Sequence, residues 1–335
     1  MKPLLQPRLV NDPFGDPGLM LEFLEQKRVL LFDLGDISAI PNATLLKVSD
    51  VFVSHTHIDH FIGFDRLLRI VFSQGKTLRF YGPENFIANV EGKLAGFTWN
   101  LVDRYEESIN IEVREVHADR LQCARFRAID KFKRSDEWEE EFIEGLLWNE
   151  ENFCVSTAIL EHRVPCLGFV LNENLQVNID KDKLQSLNYS AGPWLNELKQ
   201  AILDSQPEDT LITVPMVGEG EQSQSLPLRR LQDELAVISP GQKIAYIVDT
   251  VFNETNNERI VDLIRGATLF FCESPFIAEE EERAKERCHL TSRQAGLLAR
   301  DAGVEKLVTF HFSGRHTFNQ EQLIREAKEA FGGAR

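Results

Sequence analysis

The sequence predicts an α/β protein in which sheet layers are covered by helices. Short apolar segments rich in Val, Ile, Leu, Phe and Tyr recur along the chain as strand-like runs. The final third alternates strand and helix three times over. Several strand-like runs end at a polar residue of one kind: 50–54 leads into His55, 243–248 into Asp249, and 306–310 into His311. Residues just beyond the carboxyl ends of strands converge on a crevice in layered α/β folds, so groups far apart in sequence can meet there.

In chain order, strands are expected at 28–33, 50–54, 78–81, 110–116, 155–161, 167–171, 211–214, 243–248, 268–272 and 306–310. An amphipathic helix is expected over 136–151. There Asp136, Glu137, Glu139, Glu140, Glu141, Glu144, Glu150 and Glu151 surround Trp138, Phe142, Leu146 and Leu147 at helical spacing. A helix over 292–302 is entered through the capping candidates Thr291 and Ser292 and stopped at Gly303. Irregular stretches at 204–209 and 218–226 are rich in Gly, Ser, Gln, Pro and Glu, yet neither has the character of a domain linker. The chain, residues 1–335, therefore reads as a single domain carrying an insertion at about 172–227.

With 335 residues, 43% of them apolar, the chain has ample material for a large core. The first eight residues, MKPLLQPR, lack the apolar core of a secretory signal, and no apolar run is long enough to span a bilayer. Five scattered cysteines, Cys123, Cys154, Cys166, Cys272 and Cys288, form no close-spaced pair. A reducing, cytoplasmic setting without membrane contact is expected. The net charge of −16 opposes any function that rests on a broad electrostatic embrace of nucleic acid, and DNA is not an expected partner.

The densest chemistry lies in the run His55-Thr56-His57-Ile58-Asp59-His60. Along an extended chain His55, His57 and Asp59 project to one side, and His60 turns the other way. One segment can thereby feed two metal ions. Imidazole with carboxylate suits zinc, with manganese and iron as competitors, and no neighbouring cysteine forces the choice.

Further motifs follow in a telling order. LEHRVPCLGF at 160–169 carries His162, KIAYIVDT at 243–250 carries Asp249, and ESPF begins at Glu273. HLTSRQA at 289–295 carries His289, and TFHFSGR at 309–315 carries His311 and Arg315. In this set the chain resembles the metallo-β-lactamase superfamily and, within it, the ribonuclease Z family of tRNA 3′-processing endonucleases. The resemblance implies a metallo-β-lactamase fold, a four-layer αββα sandwich, with an arm-like insertion whose AGPW at 191–194 is similar to the Gly-Pro segment of the family's tRNA-binding arm.

By the same resemblance, His55, His57 and His162 hold one divalent metal, Asp59, His60 and His311 hold the other, and Asp249 bridges them. A metal-bridging hydroxide is then the implied nucleophile. Asp59 orients it and accepts its proton, His289 polarised by Glu273 donates a proton to the departing ribose oxygen, and Arg315 binds a phosphate oxygen. Precursor tRNA is the implied substrate and a homodimer the implied assembly.

Some positions depart from the family pattern. NDPFGDPG at 11–18 stands in place of a glycine-rich loop, Ile58 and Val248 replace glycines before the ligand aspartates, and Cys272 replaces a histidine before Glu273. The arm-like segment sets Lys181, Lys183 and Lys199 against Glu173, Asp180, Asp182 and Glu197. A hydrolase of a small phosphodiester or other small ester, with the same dinuclear site, is therefore the alternative, and a non-catalytic metal-binding regulatory protein is a second. His117 and His316 take no role in either scheme.

Overall fold

The computed structural model describes residues 4–24, 26–218 and 223–332. They divide into two compact units: residues up to Asn172 with those from Gln242 onward, and Glu173–Gly241.

The first unit begins with an eight-stranded sheet in sequential order: β1 (Leu5–Leu9), β2 (Leu19–Phe23), β3 (Val29–Phe32), β4 (Val48–Phe52), β5 (Thr77–Gly82), β6 (Asn110–Val116), β7 (Arg120–Arg127) and β8 (Arg134–Glu141). β3 to β6 run parallel and the flanking pairs antiparallel. Helices α1 (Asn42–Leu45), α2 (Ile58–Phe61), α3 (Phe64–Val71) and α4 (Phe86–Ala95) lie in the crossovers. A six-stranded sheet holds β9 (Leu146–Asn149), β10 (Phe153–His162), β11 (Val164–Glu173) and, after the second unit, β16 (Lys243–Ile247), β17 (Leu269–Glu273) and β18 (Leu307–Phe310). Its spatial order is β18-β17-β16-β11-β10-β9, with β16, β17 and β18 parallel. Helices α8 (Glu254–Ile264), α9 (Glu281–Arg287), α10 (Ser292–Asp301) and α11 (Gln320–Gly332) accompany it.

Side-chain alternation shows how these layers stack. Along β3, Val29 and Leu31 join the core shared with α1, α3 and α4, whereas Leu30 and Phe32 join a second core between the sheets. Along β16, Ile244 and Tyr246 face that same middle core, and Ala245 and Ile247 join a third core with α8 and α10. A strand buried on both faces must be apolar on both, which is why these runs are nearly continuous in hydrophobic residues. Stacked aromatics fill the middle: Phe52 lies 4.9 Å from Phe32 and 4.6 Å from Tyr81 between ring centroids. The result is the helix, sheet, sheet, helix sandwich expected from the sequence.

The second unit has its own core of Trp194, Leu198, Ile212, Val214, Leu231 and neighbours. It contains β12 (Gln176–Ile179), α5 (Lys181–Ser186), α6 (Trp194–Leu203), β13 (Leu211–Pro215), β14 (Ser223–Pro227), α7 (Leu228–Leu235) and β15 (Ala236–Ser239). It continues past residue 227 because β15 returns to pair with β12, so α7 and β15 belong to the unit that β12 opens. Part of the stretch expected to be irregular, 218–226, is the strand β14, paired with β13; residues 219–222 of it lie outside the described residues.

One local expectation fails. Residues 136–151 are not a helix but β8, a turn and β9. β8 alternates half-buried and exposed residues along its whole length, the period of a strand. Its acids find partners across the sheet that a helix cannot offer: Asp136 pairs with Arg125 at 3.1 Å and Glu140 with Arg114 at 3.0 Å. Gly145, at φ +76°, makes the break before β9. The helix at 292–302 does form, as α10, with Thr291 and Gln294 in a reciprocal capping box and Gly303 beyond its end at φ +63°.

Candidate metal centre

The carboxyl ends of the parallel strands bring the sequence-predicted residues together. β16 delivers Asp249, β17 ends on Glu273, and β18 delivers His311. From the other sheet β3 delivers Asp33, and β4 delivers Ser54 and His55. The HTHIDH run does not remain extended as expected. His57 is the cap of the one-turn helix α2, which carries Asp59 and His60, with the Ile62 N–H donating to the Ile58 carbonyl at 2.9 Å. The turn rotates His60 inward to full burial while His57 stays exposed. Ile58, between them, is 74% exposed.

The ligand-type atoms fall into overlapping groups: His55, His57, His162 and Asp249; Asp59, His60 and His311; and Asp249, Glu273, His289 and His311. Asp249 stands at the centre. The Nε2 atoms of His55, His60 and His162 lie 3.5, 3.4 and 3.3 Å from its Oδ2, and His311 Nδ1 lies 3.0 Å from its Oδ1. On the open side, Asp59 Oδ2 is 3.6 Å from both His60 Nε2 and His311 Nε2. Most of these spacings are too long for good hydrogen bonds. They match the distance between two ligands of one tetrahedral ion, roughly 3.3–3.6 Å for bonds of about 2.0–2.2 Å.

Buried polar atoms left without a hydrogen-bond partner point the same way. His55 Nε2, His60 Nε2, Asp249 Oδ1 and His311 Nδ1 all converge on this cluster. A buried group without a partner costs free energy, and a cation is the natural partner for this donor set. The residues therefore fit divalent metal ions.

Other groups hold these side chains in place. Asp33, fully buried, sits 2.9 Å from His60 Nδ1 and accepts from the Ser54 N–H at 2.7 Å and the Tyr246 hydroxyl at 3.0 Å. That contact leaves His60 Nε2 to face the cluster. His162 Nδ1 lies 2.7 Å from the Cys288 carbonyl oxygen, with the same effect. Glu273 is fully buried; its Oε1 accepts the N–H groups of Thr250 and Leu290 at 3.0 and 3.2 Å, and its Oε2 is 2.7 Å from His289 Nδ1. Asp33, Asp249 and His311 are non-glycine residues at positive φ, of 58°, 45° and 56°. Strained backbone of this kind persists where surrounding structure enforces it and collects at functional sites.

The electrostatics are those of a carboxylate-rich pocket seeking positive charge. Burial, reinforced by the charge of His60, pushes His55 down to about 2, so it stays a neutral imidazole. Burial also opposes charge on His60, but Asp249 and Asp33 outweigh it and raise that group to about 10. Asp59 is held down to about 2, burial notwithstanding, by the proximity of His311 and the charge of His60. Burial opposes protonation of His289 as well, and Glu273 overrules it through charge and hydrogen bond, so its pKa is raised.

Arg315 is placed differently. Its side chain is 55% exposed and lies 3.6 Å from Glu280, whose other oxygen is 2.6 Å from His316 Nε2. Sequence reasoning passed over Asp33, Tyr246 and Thr250. Asp33 had a signal: it ends a strand-like run, as His55, Asp249 and His311 follow theirs.

No family model matches the chain. Ribonuclease Z of Deinococcus radiodurans is 28% identical over 310 residues, covering 91% of this chain and 89% of the relative. Ribonuclease Z of Bacillus mycoides is 25% identical over 323 residues, covering 94% and 88%. Among solved structures, the metallo-β-lactamase fold protein YhfI from Bacillus subtilis aligns with a TM-score of 0.56 at 15% identity, covering 98% of this chain and 95% of that one. The short form of human tRNase Z aligns at 0.53 and 16% identity, covering 93% and 92%.

Proposed function

We propose that this chain, which has the metallo-β-lactamase fold and resembles the ribonucleases Z over most of its length, is a metal-dependent phosphodiesterase that cuts the 3′ trailer from precursor tRNA. The observation that carries the reading is the arrangement about Asp249: two ligand sets meet at one carboxylate, with the His289–Glu273 pair beside them and outside the histidine set of either. His55, His57 and His162 would hold one ion and Asp59, His60 and His311 the other, with Asp249 available to both. Zinc suits the donors, with manganese or iron as alternatives. When bound, the ions supply Lewis acidity toward the phosphoryl oxygens and toward the attacking water.

The chain's own residues do the rest. Asp59, 38% exposed where Asp249 and Glu273 are buried, is the cluster carboxylate open to solvent and accepts the proton of the attacking water. His289, its Nδ1 engaged by Glu273, presents Nε2 to the substrate and protonates the departing 3′ oxygen of the ribose. The cytoplasmic setting and a homodimeric assembly belong to the same reading, and among the described residues no helix is long and apolar enough to cross a membrane.

Hydrolysis of a small phosphodiester is the second reading, favoured by one observation: the second unit carries eleven acidic residues against five basic ones. A turnover panel separates the two, with precursor tRNA beside an aryl phosphodiester, each with metal-replete and chelator-stripped protein. Metal-dependent turnover of both supports the primary reading. Turnover of the aryl diester alone supports the second, and turnover of neither overturns both.

A further inference from the structure

His117 lies outside the metal cluster but is anchored much as the ligands are. It follows β6, and its Nε2 is 3.0 Å from Glu115 Oε1. Glu115, 6% exposed, is itself fixed, its Oε2 accepting the Ile87 N–H at 2.9 Å at the start of α4. The 117–120 turn is closed by the His117 N–H donating to the Arg120 carbonyl at 3.0 Å. A histidine held this way by a buried carboxylate keeps its proton on Nε2 and offers Nδ1 as an acceptor.

His117 lines a cavity of about 330 Å³ whose apolar walls are Pro83, Val116, Ile159, Pro165 and Leu167. That cavity lies at the sheet edge from which His55 emerges. β4, β5 and β6 are parallel neighbours, so His55, Pro83 and His117 emerge at the same edge of one sheet. Two strand spacings, about 10 Å, separate the strand of His55 from that of His117. From the opposite side, Pro165 follows His162 by three residues, and the Leu167 N–H donates to the Ser54 carbonyl at 2.9 Å, one residue before His55.

The lining selects a flat neutral group over a phosphate. Arg120, the one arginine or lysine on it, is already committed to Asp119 at 3.1 Å and Glu139 at 3.1 Å, and Glu84 and Asp119 add negative charge at the rim. Two prolines and three aliphatic side chains suit a planar ring, and an unstacked base bound to protein takes apolar contact on its face and hydrogen bonds on its edge.

We propose that this cavity is a base-binding subsite: it takes the nucleobase of a nucleotide flanking the scissile phosphate, with His117 as its polar contact and Glu115 as the residue that positions His117. The proposal rests on the phosphodiesterase reading above.

A mutant cycle tests it. Precursor tRNAs carrying a single abasic nucleotide at each of the positions flanking the cut are cleaved by the wild-type protein and by His117→Ala and His117→Gln, with metal content and thermal melting checked for each. One abasic position should lower wild-type kcat/KM about tenfold, the loss of one modest base contact. His117→Ala should lose about as much on the intact substrate, mainly in KM, and should lose nothing further at that one position. His117→Gln, which retains an acceptor, should recover part of the loss; it also carries the cycle if the alanine variant fails to fold. Losses that multiply at every position, or no loss from either change, overturn the subsite while leaving the parent reading intact. A wild-type protein that leaves every precursor tRNA uncut overturns both.

Discussion

Asp249 uses both carboxylate oxygens within the cluster, one toward His55, His60 and His162 and the other toward His311. Asp249→Ala should therefore reduce elemental metal content from near two ions per chain at both positions, and unchanged content would contradict its bridging role. Asp33 meets the cluster at His60 directly and at His55 through the Ser54 hydroxyl, so Asp33→Ala should leave the metal-facing side chains present and weaken metal affinity by about 10–100-fold in a competition titration with a chelator. His289 stands apart from the histidines assigned to the ions. His289→Ala should keep both ions and lose roughly 10²–10⁴-fold in kcat on RNA. An aryl phosphodiester has a leaving group that needs little protonation, so the defect should shrink on it. An equal defect on both substrates would show that His289 binds phosphate rather than donating a proton.

At the scale of elements, the β6–β7–β8 edge shows what a sequence reveals and what it withholds. Burial works against the ionisation of Glu112, but the hydrogen bond from Arg125 and the charge of Arg114 hold its pKa below the ordinary 4.5. Glu140, with Arg114 and Trp138, and Glu150, with Arg28 and Trp148, are lowered in the same way. A carboxylate lowered by folding contributes stability that is fully present above its unfolded pKa and lost as pH falls through the folded one. The urea midpoint should thus decline below about pH 4.5, and Glu112→Gln should flatten that decline while costing about 1–2 kcal/mol at neutral pH. A pH dependence unaltered by the substitution would assign the acid sensitivity elsewhere. The same pairs explain the misread helix. Trp138, Phe142 and Leu146 recur at helical spacing, but cross-strand partners such as Arg125 for Asp136 are non-local and cannot be read from residues 136–151 alone. By contrast, the strands buried on both faces announce themselves as apolar runs, and α10 through its own capping box. The HTHIDH residues of the cluster were legible as metal-ligand candidates for a similar reason, being dense in one segment. Asp33 showed only as the polar end of a strand-like run, and its contact with His60 was not legible because it depends on β3 lying beside β4.

Across the whole molecule, two sheets turn the carboxyl ends of their parallel strands to one cluster, and a separate unit leaves and re-enters the chain at neighbouring residues, since Asn172 pairs with Lys243 across β11 and β16. That pairing allows Glu173–Gly241 to be replaced by a short loop. With eleven acids against five bases in that unit, removing it should spare cleavage of an aryl phosphodiester, and the wild-type affinity for precursor tRNA should fall only shallowly with salt. A steep linear loss of log affinity with log salt, abolished by the deletion, would instead make the unit an electrostatic clamp. The cluster should be needed for turnover but not for folding, because the cores between the layers are apolar and continuous. Chelation should therefore abolish cleavage and leave circular dichroism near native, whereas unfolding on chelation would make the ions structural. If this cluster directs water at the phosphate and His289 gives a proton to the ribose oxygen, the ends made from precursor tRNA must carry the signature. End-mapping should find a single metal-dependent cut at the 3′ trailer, with a 3′-hydroxyl on the tRNA and a 5′-phosphate on the trailer; a 2′,3′-cyclic phosphate, or cuts scattered along the RNA, would rule that chemistry out.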